Sequence, residues 1–322
     1  MNKKIIFKKI EMVYIFGWGE SLINFANLLK KTNFKFKILL HPKQSHMPLP
    51  GSNKSFIKTL FDNNLDFATC QNIKKFEKNL IDKYFLLISF GSYFQFNIKF
   101  VKKNPYKLYN FMPIPMPRYR GGAHWTWAMM KNEKYWGCNI QEIDEFTKEG
   151  GFIDTGKILF SANYKIKKNI LTPTEFVKYI SKKEKIFLSK FIHKLKNKSR
   201  FILKPINESR SIFLPRIKTE KDGWVDWNWS SKEIILFINS FSDPYRGASA
   251  LINNKRVFLQ NAKKINDENF HPFQSSLIVR KYKNRLFVLT SSGLISIDNI
   301  SNSMGKNIFG EVKIGQKLEK KI

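Results

Sequence analysis

NFMPIPMPRYRGGAHWTWAMM, residues 110–130, sets Pro113, Pro115 and Pro117 on alternate positions, then follows Arg118, Tyr119 and Arg120 with Gly121 and Gly122. Each proline fixes its own φ and removes a backbone donor, so the segment is a stiff bend. Fewer unfolded conformers are then lost when the bend forms. The glycine pair lets the backbone pass close to another group before a helix begins at about His124. Immediately upstream, YKLYNFM (106–112) reads as a strand. The stretch is therefore a strand end, a rigid turn and a helix start, the place where open α/β sheets carry their sites.

Working outward towards the N-terminus, the same alternation recurs. MVYIFGWG (12–19) is a short buried strand running into glycines, and SLINFANLLK follows as a helix with Ser21 placed to cap it. FKFKILLHP (34–42) is a second strand stopped by proline, KSFIKTLFDNNL is amphipathic at helical spacing, and LDFATCQ is a further short strand. KYFLLISFG (83–91) is a continuous apolar run ending in glycine, the pattern of a central strand in a parallel sheet. TPTEFVKYISKKEKIFLSKFIHKLKNK (172–198) is a long amphipathic helix with Thr172 as its cap and Pro173 at its first position. Strands alternating with helices predict an α/β sheet with right-handed crossovers.

Beyond about residue 205 the texture changes. RSIFLPRI, RVFLQNAKKI, SSLIVRKY, RLFVLTSS and GLISIDNI are strand-like, and SSKEIILFINSF is the one helical interruption. This pattern predicts a small antiparallel barrel. The expected division is 1–203 and 204–322.

Composition bounds the function. Hydrophobic residues make up 43% of 322 positions, with 30 phenylalanines and 11 tyrosines, which excludes a disordered polymer. No segment approaches the ~18 uncharged apolar residues of a membrane span. Lys8, Lys9 and Glu11 interrupt the N-terminal apolar run and no small-residue cleavage site follows, so the reading is a cytoplasmic protein. Cys70 and Cys138 have no ligand spacing and the histidines are scattered, so no metal site is expected. The net charge of +32 suits a polyanionic partner. Only nine of the 57 basic residues are arginine, however, and the lysines are spread along the chain, as a compositional bias would spread them. IFGWGESL supplies Gly17 and Gly19 but no third glycine and no ribose-binding acid, so a dinucleotide site is not indicated.

Three blocks, in order, resemble the folate-dependent formyltransferases: YNFMPIPMPRYRGG, IDTGKIL, and DGWVDWNW followed by DPYRGAS. Asn110, Pro113, Pro117, Tyr119, Arg120 and Gly121 match the first. Asp154, Gly156 and Ile158 match the second. Asp222, Asp226, Trp227, Pro244, Gly247 and Ala248 match the third. The family's catalytic His falls at Met112, and TKEGG (147–151) is extra sequence before Asp154.

The resemblance implies a Rossmann-like formyltransferase domain followed by a small OB-like barrel, with N10-formyltetrahydrofolate as co-substrate. It implies that Asn110 donates to the formyl oxygen and that Asp154 is the base or the group that orients one. His124 is the nearest candidate to replace the missing His. Phe90, Gly91, Tyr93, Phe94, Tyr119, Arg120 and Gly121 would border the folate. The acceptor would be a primary amine, an amino sugar on a nucleotide in the favoured reading or an aminoacyl-tRNA in the alternative. A catalytically impaired folate- or RNA-binding relative is the third reading, because methionine carries no proton.

Overall fold

The structure, a computed structural model, describes residues 3–49, 52–144 and 154–321. TKEGG lies outside them. Two compact units emerge. The first comprises residues 1–120, 136–164 and 180–213, and the second 121–135, 165–179 and 214–322.

The first unit is a layered α/β domain. Strands β2 (Met12–Gly17), β3 (Phe36–Leu40), β4 (Phe67–Thr69), β5 (Phe85–Phe90), β6 (Leu108–Met112), β8 (Tyr135–Glu142) and β9 (Ile158–Lys165) form one sheet in the order β4-β3-β2-β5-β6-β8-β9. The pairs from β4 to β6 are parallel and β6 meets β8 antiparallel. β5 is buried at every position, as its unbroken apolar run requires. β1 (Lys3–Ile5) pairs with β10 (Phe201–Leu203) in a separate ribbon.

Val13, Ile15, Leu86 and Ile88 pack against Leu22 and Phe25 of α1 (Glu20–Lys31), Phe56 and Leu60 of α3 (Phe56–Asp62), and Phe187 and Phe191 of α7 (Pro173–Lys196). The opposite face carries Tyr14, Phe16, Phe85 and Leu87 beneath Phe76 of α4 (Ile73–Asn79) and Phe100 of α5 (Ile98–Lys103). A short helix, α2 (Pro42–Ser45), follows β3.

Two local expectations change. Gly19, not Ser21, caps α1, and the Ser21 hydroxyl instead donates to Glu184 on α7. At the start of α7, Thr172 behaves as expected: its Oγ1 accepts from the Glu175 N–H at 3.3 Å, and Glu175 returns the bond to the Thr172 N–H at 3.1 Å.

The short strands β7 (Arg120–Gly121) and β11 (Phe213–Leu214) fall where the chain passes between units. The second unit holds α6 (His124–Met130), α8 (Thr219–Asp222), α9 (Ser231–Ser240) and an antiparallel sheet. That sheet joins β12 (Ala248–Ile252), β13 (Lys255–Lys264), β16 (Gly293–Asn302), β15 (Arg285–Thr290) and β14 (Ile278–Tyr282) in that order. The C-terminal tail closes it, because Glu319 exchanges backbone bonds with Leu251 of β12 while Gln316 and Leu318 bond to Ile278 and Ser276 beside β14. Both sheet edges are thereby covered. Ile234 and Ile238 of α9 plug the interior with Val225 and Trp227. Ser230 and Glu233 form the capping box of that helix.

The compact units are each discontinuous in sequence. Residues 121–135 go with the second unit because α6 packs on α9. Residues 165–179 go with it through the bond from the Ile166 N–H to the Lys134 carbonyl and the Thr174–Asp243 bond of 2.6 Å.

Candidate active site

Asn110 sits at the middle of β6. Alternate residues of a strand face opposite ways, and on this one Tyr109 and Phe111 enter the core beneath α7. Asn110 and Met112 are half-buried on the other face. Across the antiparallel ladder, Gln141 of β8 lies directly opposite Asn110, and Asn139 opposite Met112. Directly paired residues place their Cβ atoms ~5 Å apart, so the two amides are neighbours. Asn139 is spoken for, since its Nδ2 donates to the Ile114 carbonyl. Among the described residues the Asn110 amide makes no hydrogen bond.

Gln141, 1% exposed, reaches from β8 to the turn that carries Asp154. Its Nε2 donates to the Asp154 carbonyl at 2.7 Å and to the Gly156 carbonyl at 2.9 Å. Asp154 holds a left-handed backbone, φ +58°. Two residues on, a Cβ on Gly156 would stand 1.8 Å from the Glu142 carbonyl oxygen, so only glycine permits this close return to β8. Gln141 therefore ties the Asp154 turn to the strand position that stands opposite Asn110.

Burial raises the Asp154 carboxyl above the ordinary carboxylate range. The Arg120 guanidinium opposes that rise and the Asp144 carboxylate adds to it. Asp144 also accepts from the Thr155 hydroxyl at 3.3 Å.

The strand beside β6 supplies the next wall. Ser89 of β5 is in register with Asn110, so Phe90 and Gly91 follow at the carboxyl end of the sheet. Phe90 is a core residue. Its ring packs on Phe25 and Phe111, and its carbonyl accepts from the Trp18 N–H. The Gly91 carbonyl is bonded by Gln44 Nε2 at 2.9 Å, and Gln44 Oε1 accepts the Tyr93 N–H at 3.3 Å, so one buried glutamine pins the loop. Tyr93 is exposed with its ring against His41, while Phe94 lies against both His41 and Phe16.

Tyr119 and Arg120 also have partners within the protein. Tyr119 is buried against Trp136, with ring centroids 5.4 Å apart. Arg120, 2% exposed, grips both carboxylate oxygens of Glu208 at 2.7 and 2.9 Å and donates to Ser211 at 2.7 Å. Such a bidentate pair ties the guanidinium to the protein itself, so Arg120 acts on the site through its charge near Asp154.

Gly121 and His124 belong to the second unit. The His124 Nε2 bonds the Gly121 carbonyl at 3.0 Å, and burial lowers its pKa, so it is a neutral donor fixing its own turn. Among the described residues no cluster of three metal-ligating side chains exists, and no helix is long and apolar enough to cross a membrane.

Comparison with known proteins agrees with this architecture. The formyl transferase C-terminal domain model matches residues 217–312. Methionyl-tRNA formyltransferase of Lactococcus lactis subsp. cremoris is 28% identical over 187 residues, 56% of this chain and 54% of that protein. The chain thus spans about half the length of the first curated relatives it matches. Among solved structures, the sugar 3N-formyl transferase WlaRD superposes with a TM-score of 0.65 at 19% identity, covering 90% of this chain and 97% of that one. An N-formyltransferase from Helicobacter canadensis gives 0.64 at 17%, covering 90% and 98%. A mostly parallel α/β unit followed by a separate antiparallel unit is the fold these solved formyltransferases share with this chain. Residues 217–312 thus match the formyl transferase C-terminal domain, and the chain is similar to folate-dependent formyltransferases in sequence and in fold.

Proposed function

We propose that this chain transfers the formyl group of N10-formyltetrahydrofolate to a primary amine, and that the amine is carried by a nucleotide-linked sugar. The observation that carries the reading is the Asp154 turn, its half-buried carboxyl raised by desolvation, tied through its backbone carbonyl to Gln141, which stands opposite Asn110 on the paired strand. In the transfer, the amine nitrogen bonds the formyl carbon, the bond from that carbon to N10 breaks, and N10 takes up a proton. The formyl oxygen gains negative charge on the way. A preorganised amide donor at that oxygen is worth about 3 kcal/mol, the role assigned to Asn110. Asp154 accepts the proton leaving the amine. A carboxylate whose pKa is raised towards neutrality is a better base than an ordinary one. Met112 can neither donate nor take up a proton, so Asp154 bears this step without an imidazole.

The acceptor is read from two observations. WlaRD was crystallised with dTDP and 5-N-formyl-THF, and the Helicobacter canadensis protein with folinic acid and dTDP-3-aminofucose. This chain covers nearly their full length. The second reading, methionyl-tRNA, is favoured by the curated relatives of that name and by the +32 charge.

The test is to incubate the protein with N10-formyltetrahydrofolate and either nucleotide-linked amino sugars or methionyl-tRNA, following tetrahydrofolate release by absorbance. Release with an amino sugar supports the first reading, and release with the tRNA alone replaces it by the second. Folate binding without release from any acceptor would leave a binding protein and end the proposal of transfer.

A further inference from the structure

We propose that Gln141 is the positioning residue of this site: its amide locks the Asp154 turn to the strand that faces Asn110. The inference rests on the proposed transfer for its kinetic consequences, but its structural content stands apart from it.

Three observations meet at this side chain. First, its Nε2 serves two carbonyls at once, those of Asp154 and Gly156, and so spans the turn on both sides of Thr155. Second, its Oε1 is buried with no partner among the described residues. A buried acceptor left unpaired costs roughly 1–3 kcal/mol. The amide could avoid that cost by rotating, but rotation would aim Oε1 at two carbonyl oxygens. The orientation is therefore dictated by the turn, and the donor function of Nε2 is what the position requires. Third, the register sets Gln141 opposite Asn110. One side chain thus fixes the separation between the base and the oxyanion donor.

The turn needs such a lock. Asp154 is left-handed, a backbone state that a residue with a Cβ holds only when its surroundings impose it. Besides the clamp, the described contacts on the turn are the Thr155–Asp144 bond, at 3.3–3.4 Å, and the close approach of Gly156 to Glu142. Among the described residues, the charged groups that act on Asp154 are Arg120 and Asp144. A turn that swings away from β8 changes its distance to both.

The experiment compares the full-length protein with Gln141→Met, which keeps the volume and removes the donor, and with Gln141→Glu. Two readouts do not depend on turnover: the titration of the Asp154 carboxyl by carbon NMR, and hydrogen exchange of the amides from Thr155 to Ile158. In Gln141→Met, Asp154 should titrate closer to an ordinary carboxylate as the turn opens to water, and exchange in the turn should accelerate at least 10-fold. The amides of β5 should keep their protection. If transfer is present, kcat should fall by about 10–100-fold with the KM for formylfolate unchanged, the signature of a misplaced base. Gln141→Glu should lose most at high pH, where a second carboxylate would face the two carbonyls, and recover towards acid as protonation restores one donor.

An Asp154 titration and turn exchange equal to wild type in Gln141→Met would overturn the proposal. So would a uniform loss of protection through β5 and β8, which would make Gln141 a residue of the general fold. Failure of all acceptors in the transfer assay removes the proposed function and leaves the NMR and exchange result to decide this one.

Discussion

Glu184 is the buried acid of the first unit, 7% exposed on α7. Its carboxylate accepts from the Ser21 hydroxyl, and among the described residues no cation pairs with it. Burial pushes its pKa up to about 7, with the nearby Glu20 charge adding to the rise and the Ser21 bond opposing it. The same charge pushes the buried Cys138 thiol upward. A folded-state pKa above the unfolded value of 4.5 fixes the sign. Below 4.5 the acid is protonated in both states and costs nothing. Between 4.5 and about 7 the folded chain keeps a proton that the unfolded chain has lost, so stability falls as pH rises. At 1.36 kcal/mol per unit, a rise of this size removes about 3 kcal/mol by pH 8.

Glu184→Gln keeps the shape and the acceptor for Ser21 and deletes the titration. Melting curves of wild type and variant at pH 4.5 and pH 8 should nearly coincide at the acid end. At pH 8 the variant should be more stable by about 3 kcal/mol. At about 2–4 °C per kcal/mol that is a separation of roughly 6–12 °C. A difference independent of pH would refute the reasoning, because it would mean that the carboxylate is ionised and solvated throughout the range.

Asn110→Ala should lower kcat by about 100–1,000-fold with the melting temperature kept, as loss of one oxyanion donor does. Asp154→Asn should abolish the acid limb of the kcat/KM profile. In wild type that limb should be shifted upward from an ordinary carboxylate's, activity rising with pH as the raised Asp154 deprotonates. Gly156→Ala drives a methyl into the Glu142 carbonyl, so it should cost about 1–3 kcal/mol and reduce transfer together with stability. In the second unit, Asn239 bonds both the N–H and the carbonyl of Ala262, at 2.8 and 3.0 Å. Asn239→Leu leaves both groups buried and unpaired, at roughly 1–3 kcal/mol each by thermal melt.

What the sequence made legible was whatever a local pattern can encode. The apolar run of β5, the strand-to-proline stop after β3 and the Thr172–Glu175 start of α7 are each decided within a few residues, and each stands where expected. Glu184 lies inside the charged run KKEK, which reads as a solvated face. Helical spacing says otherwise, because Ile180, Glu184, Phe187, Leu188 and Phe191 form one buried stripe. Ser21 sits at an N-cap position by composition, but its hydroxyl finds a partner 163 residues away and Gly19 takes the cap. No window along the chain holds both halves of that choice.

The candidate site divides along the same line. Asn110 and Asp154 were reached through a motif, and the motif says nothing of what joins them. Gln141 carries no motif of its own, and its signal is strand register: count back along β8 from the turn, and it falls opposite Asn110. Arg120 went the other way. An arginine in a glycine-flanked bend invites an anionic ligand, yet Glu208, 88 residues on, already holds both ends of its guanidinium. Its charge still bears on Asp154. A residue read as a ligand contact thus becomes a counterweight to the base, keeping the carboxyl from rising as far as burial alone would take it. In the proposed transfer, with methionine at the position where the resemblance places a histidine, that balance of burial, Arg120 and Asp144 would set the pH at which Asp154 acts.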